Sequence, residues 1–209
     1  MLEFLNVEKT YDGRKILEIS SLKIEQGIYW LQGTNGCGKT TLLKMIAGII
    51  PFSGDISYDG MSLKKNSTKY RQQVSWSDAE PEFPSFLSGH ELISFYNYVR
   101  KASISQTEKI ISFLEADKFL SQKIKTYSSG MTKKFSILLA FIGQPSLILL
   151  DEPLSTLDLQ STLLVMKLIH DYHQEYGTNF LLSSHHDMSS NFLVMPKKLL
   201  LANKNIMVS

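Results

Sequence analysis

The sequence predicts an α/β domain built on a mixed, largely parallel sheet, with an antiparallel β subdomain at its N-terminus and a helical subdomain inserted in its middle. Three observations carry this. Residues 2–32 alternate apolar and polar positions between turn signals; a strand, a glycine-rich loop and a helix follow one another from Ile28 to Ala47; and α/β patterning resumes at Ser146 after a long stretch that reads as helical. A chain of 209 residues can bury a core without disulfide or metal staples, so one domain spanning 1–209 is expected, with the insertion at approximately 78–142.

Taken in order, the turn pairs Asp12-Gly13 and Gln26-Gly27 divide the first segment into short strands, the last being Ile28 to Gln32. Leu42, Leu43, Ile46 and Ala47 recur at helical spacing from Lys39, and Gly48 suits the position just past a helix end. Two further strand-like pieces, Gly54 to Tyr58 and Gln73 to Trp76, lie beyond Pro51, with the turn residues Asp59-Gly60 between them. Pro81 and Pro84 mark a loop leading into the helical region, which runs to about Ile142. The chain then predicts a strand Leu147 to Leu150, a helix from about Leu159 to Tyr176 and a strand Asn179 to Ser183.

Composition narrows the function. With 22 basic and 20 acidic residues the net charge is +2, far from the concentrated positive charge of nucleic-acid binders, so no nucleic-acid partner is expected. The single cysteine, Cys37, excludes an internal disulfide and a Cys-rich metal site and suits a reducing compartment. The apolar runs Phe135 to Ile142 and Leu147 to Leu150 fall short of the roughly 20 residues a membrane-spanning helix needs. Met1 to Leu5 lack the basic start and apolar core of a signal peptide, so a cytoplasmic location is expected.

The chemistry is concentrated in Gly33-Thr34-Asn35-Gly36-Cys37-Gly38-Lys39-Thr40, followed by Thr41, which fits G-x-x-x-x-G-K-[ST] between a strand and a helix. Glycines let backbone N–H groups wrap phosphate oxygens, and the helix dipole favours the anion. In that context Lys39 reaches the β- and γ-phosphates and the Thr40 hydroxyl binds Mg²⁺, which makes the core that of a P-loop NTPase. The alternative is a glycine turn capping a helix. Leu147 to Leu150 then deliver Asp151 and Glu152 to the carboxyl end of a buried strand, where α/β sheets bind ligands. Asp151 suits Mg²⁺ and Glu152 suits the polarisation of an attacking water; the alternative is a solvated acidic turn before Pro153.

With these motifs the sequence resembles the nucleotide-binding domain of ABC transporters over nearly its whole length, and further pieces occur in that family's order. The resemblance implies that Tyr11 stacks on adenine, although beside Asp12-Gly13 it is equally readable as a half-buried hairpin residue. Tyr127-Ser128-Ser129-Gly130-Met131 resembles the family signature Leu-Ser-Gly-Gly-Gln as a variant, and Ser128 and Ser129 also read as helix caps. Ser155-Thr156-Leu157-Asp158 resembles the D-loop, and His185 resembles the switch histidine that senses the γ-phosphate. The resemblance implies that Ser128, Ser129, Gly130, Met131 and Asp158 meet ATP in trans, while Glu152 and His185 serve hydrolysis.

One position departs from the family. Aligning by Trp76 and Pro81 puts Ala79 where a glutamine usually touches Mg²⁺, which leaves Asp78 or Glu80 as substitutes. Cys37 reads as a small residue tolerated in the loop. Phe83, Phe86, Phe95, Tyr96 and Tyr98 are readable as core of the helical subdomain or as a docking groove for a partner's helix.

The resemblance implies an ATPase using ATP and Mg²⁺, paired head to tail with a second copy or a paralogous ATP-binding subunit and peripheral on the membrane through a membrane-spanning permease. The short C-terminus after His185 and the Met131-Thr132-Lys133-Lys134 variant favour export. Two other readings stay open: an ABC-type ATPase outside transport, and a nucleotide-gated regulatory subunit with impaired hydrolysis.

Overall fold

A computed structural model describes residues 1–184 and 195–208. Strands β1 (Leu2–Tyr11) and β2 (Arg14–Ile24) form a hairpin across Asp12 and Gly13, whose φ values of 47° and 76° are those of a type I′ turn. Strand β3 (Ile28–Gln32) starts the main sheet and leads through the glycine loop into α1 (Lys39–Ile46). The chain then returns through β4 (Ser53–Tyr58) and β5 (Met61–Ser62), completing an antiparallel sheet of order β2-β1-β4-β5.

Sequence patterning misses the next element, α2 (Ser67–Gln73). Its residues STKYRQQ carry no apolar stripe, and a single side chain, Tyr70, is buried, donating its hydroxyl to the Ile46 carbonyl at 2.8 Å. Strand β6 (Val74–Ser77) follows, and the inserted region comprises α3 (Gly89–Arg100), α4 (Ile104–Phe113), α5 (Asp117–Leu120), a 3-10 turn Ile124–Thr126 and α6 (Ser129–Phe141). Then come β7 (Leu147–Asp151), α7 (Leu159–Tyr176), β8 (Asn179–Ser183) and the hairpin β9 (Lys197–Ala202) and β10 (Asn205–Val208). The hairpin is a second element the patterning does not identify; Asn203 and Lys204, at φ 49° and 66°, make its turn.

The main sheet has the order β10-β9-β3-β8-β7-β6, parallel except for β10. Both faces are covered, which explains why Leu147 to Leu150 read as an unbroken apolar run. Ile148 and Leu150 join Trp30, Phe180 and Leu182 on one face, against α6 and α7. Leu147 and Leu149 join Leu31, Leu181 and Leu199 on the other, against α1 and the antiparallel sheet. The inserted helices share the first of these cores; Phe135, Leu138 and Phe141 of α6 are fully buried in it. Arg100, at the end of α3, ties the insertion to the end of α2 and the start of β6 by donating to the carbonyls of Arg71, Gln72 and Val74 at 3.0–3.2 Å. Among the described residues, no helix is long and apolar enough to cross a membrane.

Candidate nucleotide-binding site

The carboxyl ends of β3, β6 and β7 point the same way in a parallel sheet, so the segments leaving them gather at one edge. From β3 the chain passes into Gly33 to Gly38. A Cβ on Gly33 would lie 2.6 Å from the Cys37 sulfur and 2.7 Å from the Leu201 carbonyl, so only glycine fits. Gly38 caps α1 with φ 109°, a conformation L side chains rarely adopt. Lys39 is nearly buried, and its ammonium donates to the carbonyls of Gly33 at 2.7 Å and Thr34 at 3.2 Å, closing the loop on itself. Thr34, Asn35, Gly36 and Thr40 are exposed and free to meet a ligand.

Tyr11, at the end of β1, shares a cavity of about 220 Å³ with Ile16, Gly36, Lys39 and Thr41. The Lys9 ammonium stands 4.4 Å from the centre of its ring. The structure thus brings Tyr11 to the phosphate loop as an exposed residue, at 45% of full accessibility.

Asp151 ends β7 and is buried beside Ser183 of β8. The Ser183 hydroxyl donates to Asp151 Oδ1 and accepts from the Glu152 amide at 3.2 Å, which fixes the carboxylate and the backbone after it. Asp151 Oδ2 is buried without a hydrogen-bond partner among the described residues. An orphaned carboxylate oxygen is costly unless a cation or its water meets it, so this donor fits a divalent metal. Glu152 has φ 47°, sparsely populated for a residue with a side chain; its carbonyl accepts from the amide of Ser155 at 3.2 Å and its hydroxyl at 2.8 Å.

The segment after β6 lines a cavity of about 700 Å³ with Thr40, Lys44 and Ser136. Ala79 sits there, next to Asp78 and Glu80. Asp78 pairs with Lys44 at 3.0 Å, so its carboxylate is already engaged, while Glu80 faces the cavity it shares with Thr40. Sequence reasoning gave no role to Lys133, yet this residue is 1% exposed and its ammonium donates to the carbonyls of Asp78, Ala79 and Asp151 at 2.8, 2.6 and 3.2 Å. Burial pushes its pKa down to about 8, against the opposing pull of Asp151 and Asp78. The available signal was a lysine on the inward side of a helix whose C-terminal half is largely apolar, three residues before buried Ser136. Ser183 was missed as well, having been read only as a strand end.

Ser128 caps α6, its hydroxyl accepting from the Met131 amide at 3.2 Å. Gly130 lies against the Thr156 carbonyl, which a Cβ would approach to 2.9 Å. Asp158 caps α7 by accepting from the Ser161 amide at 2.7 Å, and that backbone hydrogen bond holds its carboxyl below the usual range. Ser128, Ser129, Gly130, Met131 and Asp158 line a separate open cavity of about 630 Å³ that contains no residue of the phosphate loop. Within one chain, therefore, Ser128 to Met131 and Gly33 to Thr40 do not meet in one cavity. His185 lies outside the described residues.

The family model for ABC transporters matches residues 17–155. This chain belongs to the ABC transporter family. Over 188 residues it is 32% identical to the ABC transporter ATP-binding protein YtrB of Bacillus subtilis, covering 88% of this chain and 63% of that protein. It is 34% identical over 193 residues to the spermidine/putrescine import ATP-binding protein PotA of Fusobacterium nucleatum, covering 88% and 50%. The chain thus spans about half to two thirds of the length of these curated relatives. Among solved structures, an ATP-binding subunit of an ABC transporter superposes with a TM-score of 0.88 at 24% identity, covering 100% and 90% of the two chains. A dimeric bacterial ABC transporter cassette does so with 0.85 at 20% identity, covering 99% and 96%. The α/β architecture with its antiparallel β subdomain is that of an ABC ATP-binding cassette.

Proposed function

We propose that this ABC-family chain binds and hydrolyses ATP as one of two head-to-tail copies and passes the resulting opening and closing to a membrane-spanning partner. The observation that carries this is the convergence of the phosphate loop and the Asp151-Glu152 pair at the carboxyl edge of one sheet. Tyr11 offers a face to the adenine, the loop amides and Lys39 hold the phosphates, and Thr40 with Asp151 would hold Mg²⁺, which neutralises phosphate charge. Glu152, one residue beyond Asp151, orients and deprotonates the attacking water, and His185 is assigned to sensing the γ-phosphate.

The second copy is invoked because Ser128 to Met131 and Asp158 line a cavity of their own. In a head-to-tail pair, the start of α6 from one chain offers its N–H groups and hydroxyls to the phosphates held by the other. The partner's helix is assigned to the groove formed by Phe95, Tyr96, Val99 and Arg71, where Phe95 and Val99 are more than half exposed. Membrane association then comes through that partner. The relatives do not decide between export and import: one is named for import and another, LnrL of Bacillus subtilis at 27% identity, for linearmycin resistance.

A regulatory subunit with impaired hydrolysis is the second reading, favoured by Ala79, whose side chain has no atom for a metal. Turnover separates the two. Wild-type chain is expected to release phosphate from Mg-ATP and Glu152→Gln to lose at least about a hundredfold while still binding ATP. Equal turnover in the two would overturn the assignment of Glu152, and no turnover in wild type would favour the regulatory reading.

A further inference from the structure

Lys133 stands where three parts of the site converge. It belongs to the first turns of α6, the helix that opens with Ser128 to Met131; it reaches the segment containing Ala79; and it reaches the backbone of Asp151. A protonated lysine has three N–H donors and no acceptor, and three carbonyls surround this one. Two belong to Asp78 and Ala79 and the third to Asp151, so every donor is used and the ammonium is satisfied despite its burial. The carboxylates of Asp151, Asp78, Glu152 and Glu80 add an attractive field.

We propose that Lys133 is a positioning residue for hydrolysis, locking the Ala79 segment and the metal-binding end of β7 to the helix that reads the other copy's ATP. The proposal rests on the ATPase reading above. Ala79 has no side chain to reach a metal, so in this chain the link between that segment and the carboxylate edge runs through backbone carbonyls and one ammonium. A small displacement of α6 on docking would be felt directly at all three carbonyls, since a close-packed helix moves as a unit.

The test compares purified wild type with Lys133→Met, which keeps the stem and removes the charge, and with Lys133→Gln as a second, polar variant. Steady-state turnover, KM for Mg-ATP, equilibrium binding of Mg-ATP and urea unfolding are measured on each. The expected result is a fall in kcat of at least about tenfold in folded Lys133→Met, with KM and ATP affinity changed less than about threefold, and an intermediate kcat in Lys133→Gln. A kcat within about twofold of wild type in the folded variants, or a rise in KM at constant kcat, overturns the proposal. So does failure of both variants to fold, which would make Lys133 a purely structural residue. If wild type binds Mg-ATP without hydrolysing it, the ATPase reading falls and this inference with it; turnover in wild type matched by the variants defeats the inference alone.

Discussion

Asp151 and Ser183 are joined across neighbouring strands, the serine hydroxyl donating to one carboxylate oxygen and leaving the other buried for a cation. Supporting partners of this kind orient a ligand, and their loss typically costs 10–100-fold in metal affinity. Ser183→Ala is accordingly expected to raise the Mg²⁺ concentration for half-maximal ATP turnover by about tenfold. An Mg²⁺ titration that superposes on the wild-type curve would remove Ser183 from the site.

Aromatic rings help to seat α6 in its largely aliphatic core. Phe135 is fully buried and meets Phe83 and Tyr127 edge-on, with ring centroids 5.2 and 5.7 Å away. Phe135→Ala should destabilise the fold by about 3–5 kcal/mol through lost transfer energy and a cavity. Urea unfolding is the measurement, and a midpoint shift worth less than about 1 kcal/mol would mean that the insertion packs elsewhere.

Ser88 and Glu91 form a capping box at the start of α3, and the hydrogen bonds donated by the Ser88 amide and hydroxyl hold the Glu91 carboxyl down at about 2. A depressed carboxylate contributes stability above its unfolded pKa, near 4.5, and loses it as pH falls through the folded value. Glu91→Gln should therefore melt below wild type at pH 7, with the gap closing between about pH 4.5 and pH 2. A gap independent of pH would assign the effect to the side chain's shape instead of its charge.

Much of this site was legible in the sequence because its motifs are local. The phosphate loop is read from one contiguous octapeptide, and β7, α7 and β8 from apolar runs and caps that the fold leaves in place. Helix α2 was not legible, since a short segment with one inward tyrosine has no periodicity to detect. Nor was the interlock at Lys133, whose partners lie 55, 54 and 18 positions away and are backbone carbonyls, invisible to any residue pattern. Asp158 was read for its place in a motif, whereas its carboxylate caps α7.

The central claim is that each ATP site is completed by two chains, and mixing two inactive variants tests it most directly. Lys39→Ala removes the ammonium from the phosphate loop, and Gly130→Asp puts a carboxylate against the Thr156 carbonyl where a phosphate of the other copy would dock. Each alone spoils both sites of a symmetric pair, whereas a mixed pair keeps one intact site. Equimolar mixing is expected to restore up to about a quarter of wild-type turnover, because half the pairs are mixed and each has one of its two sites whole. Turnover in the mixture no greater than the mean of the two variants alone would contradict a site shared between two copies of this chain.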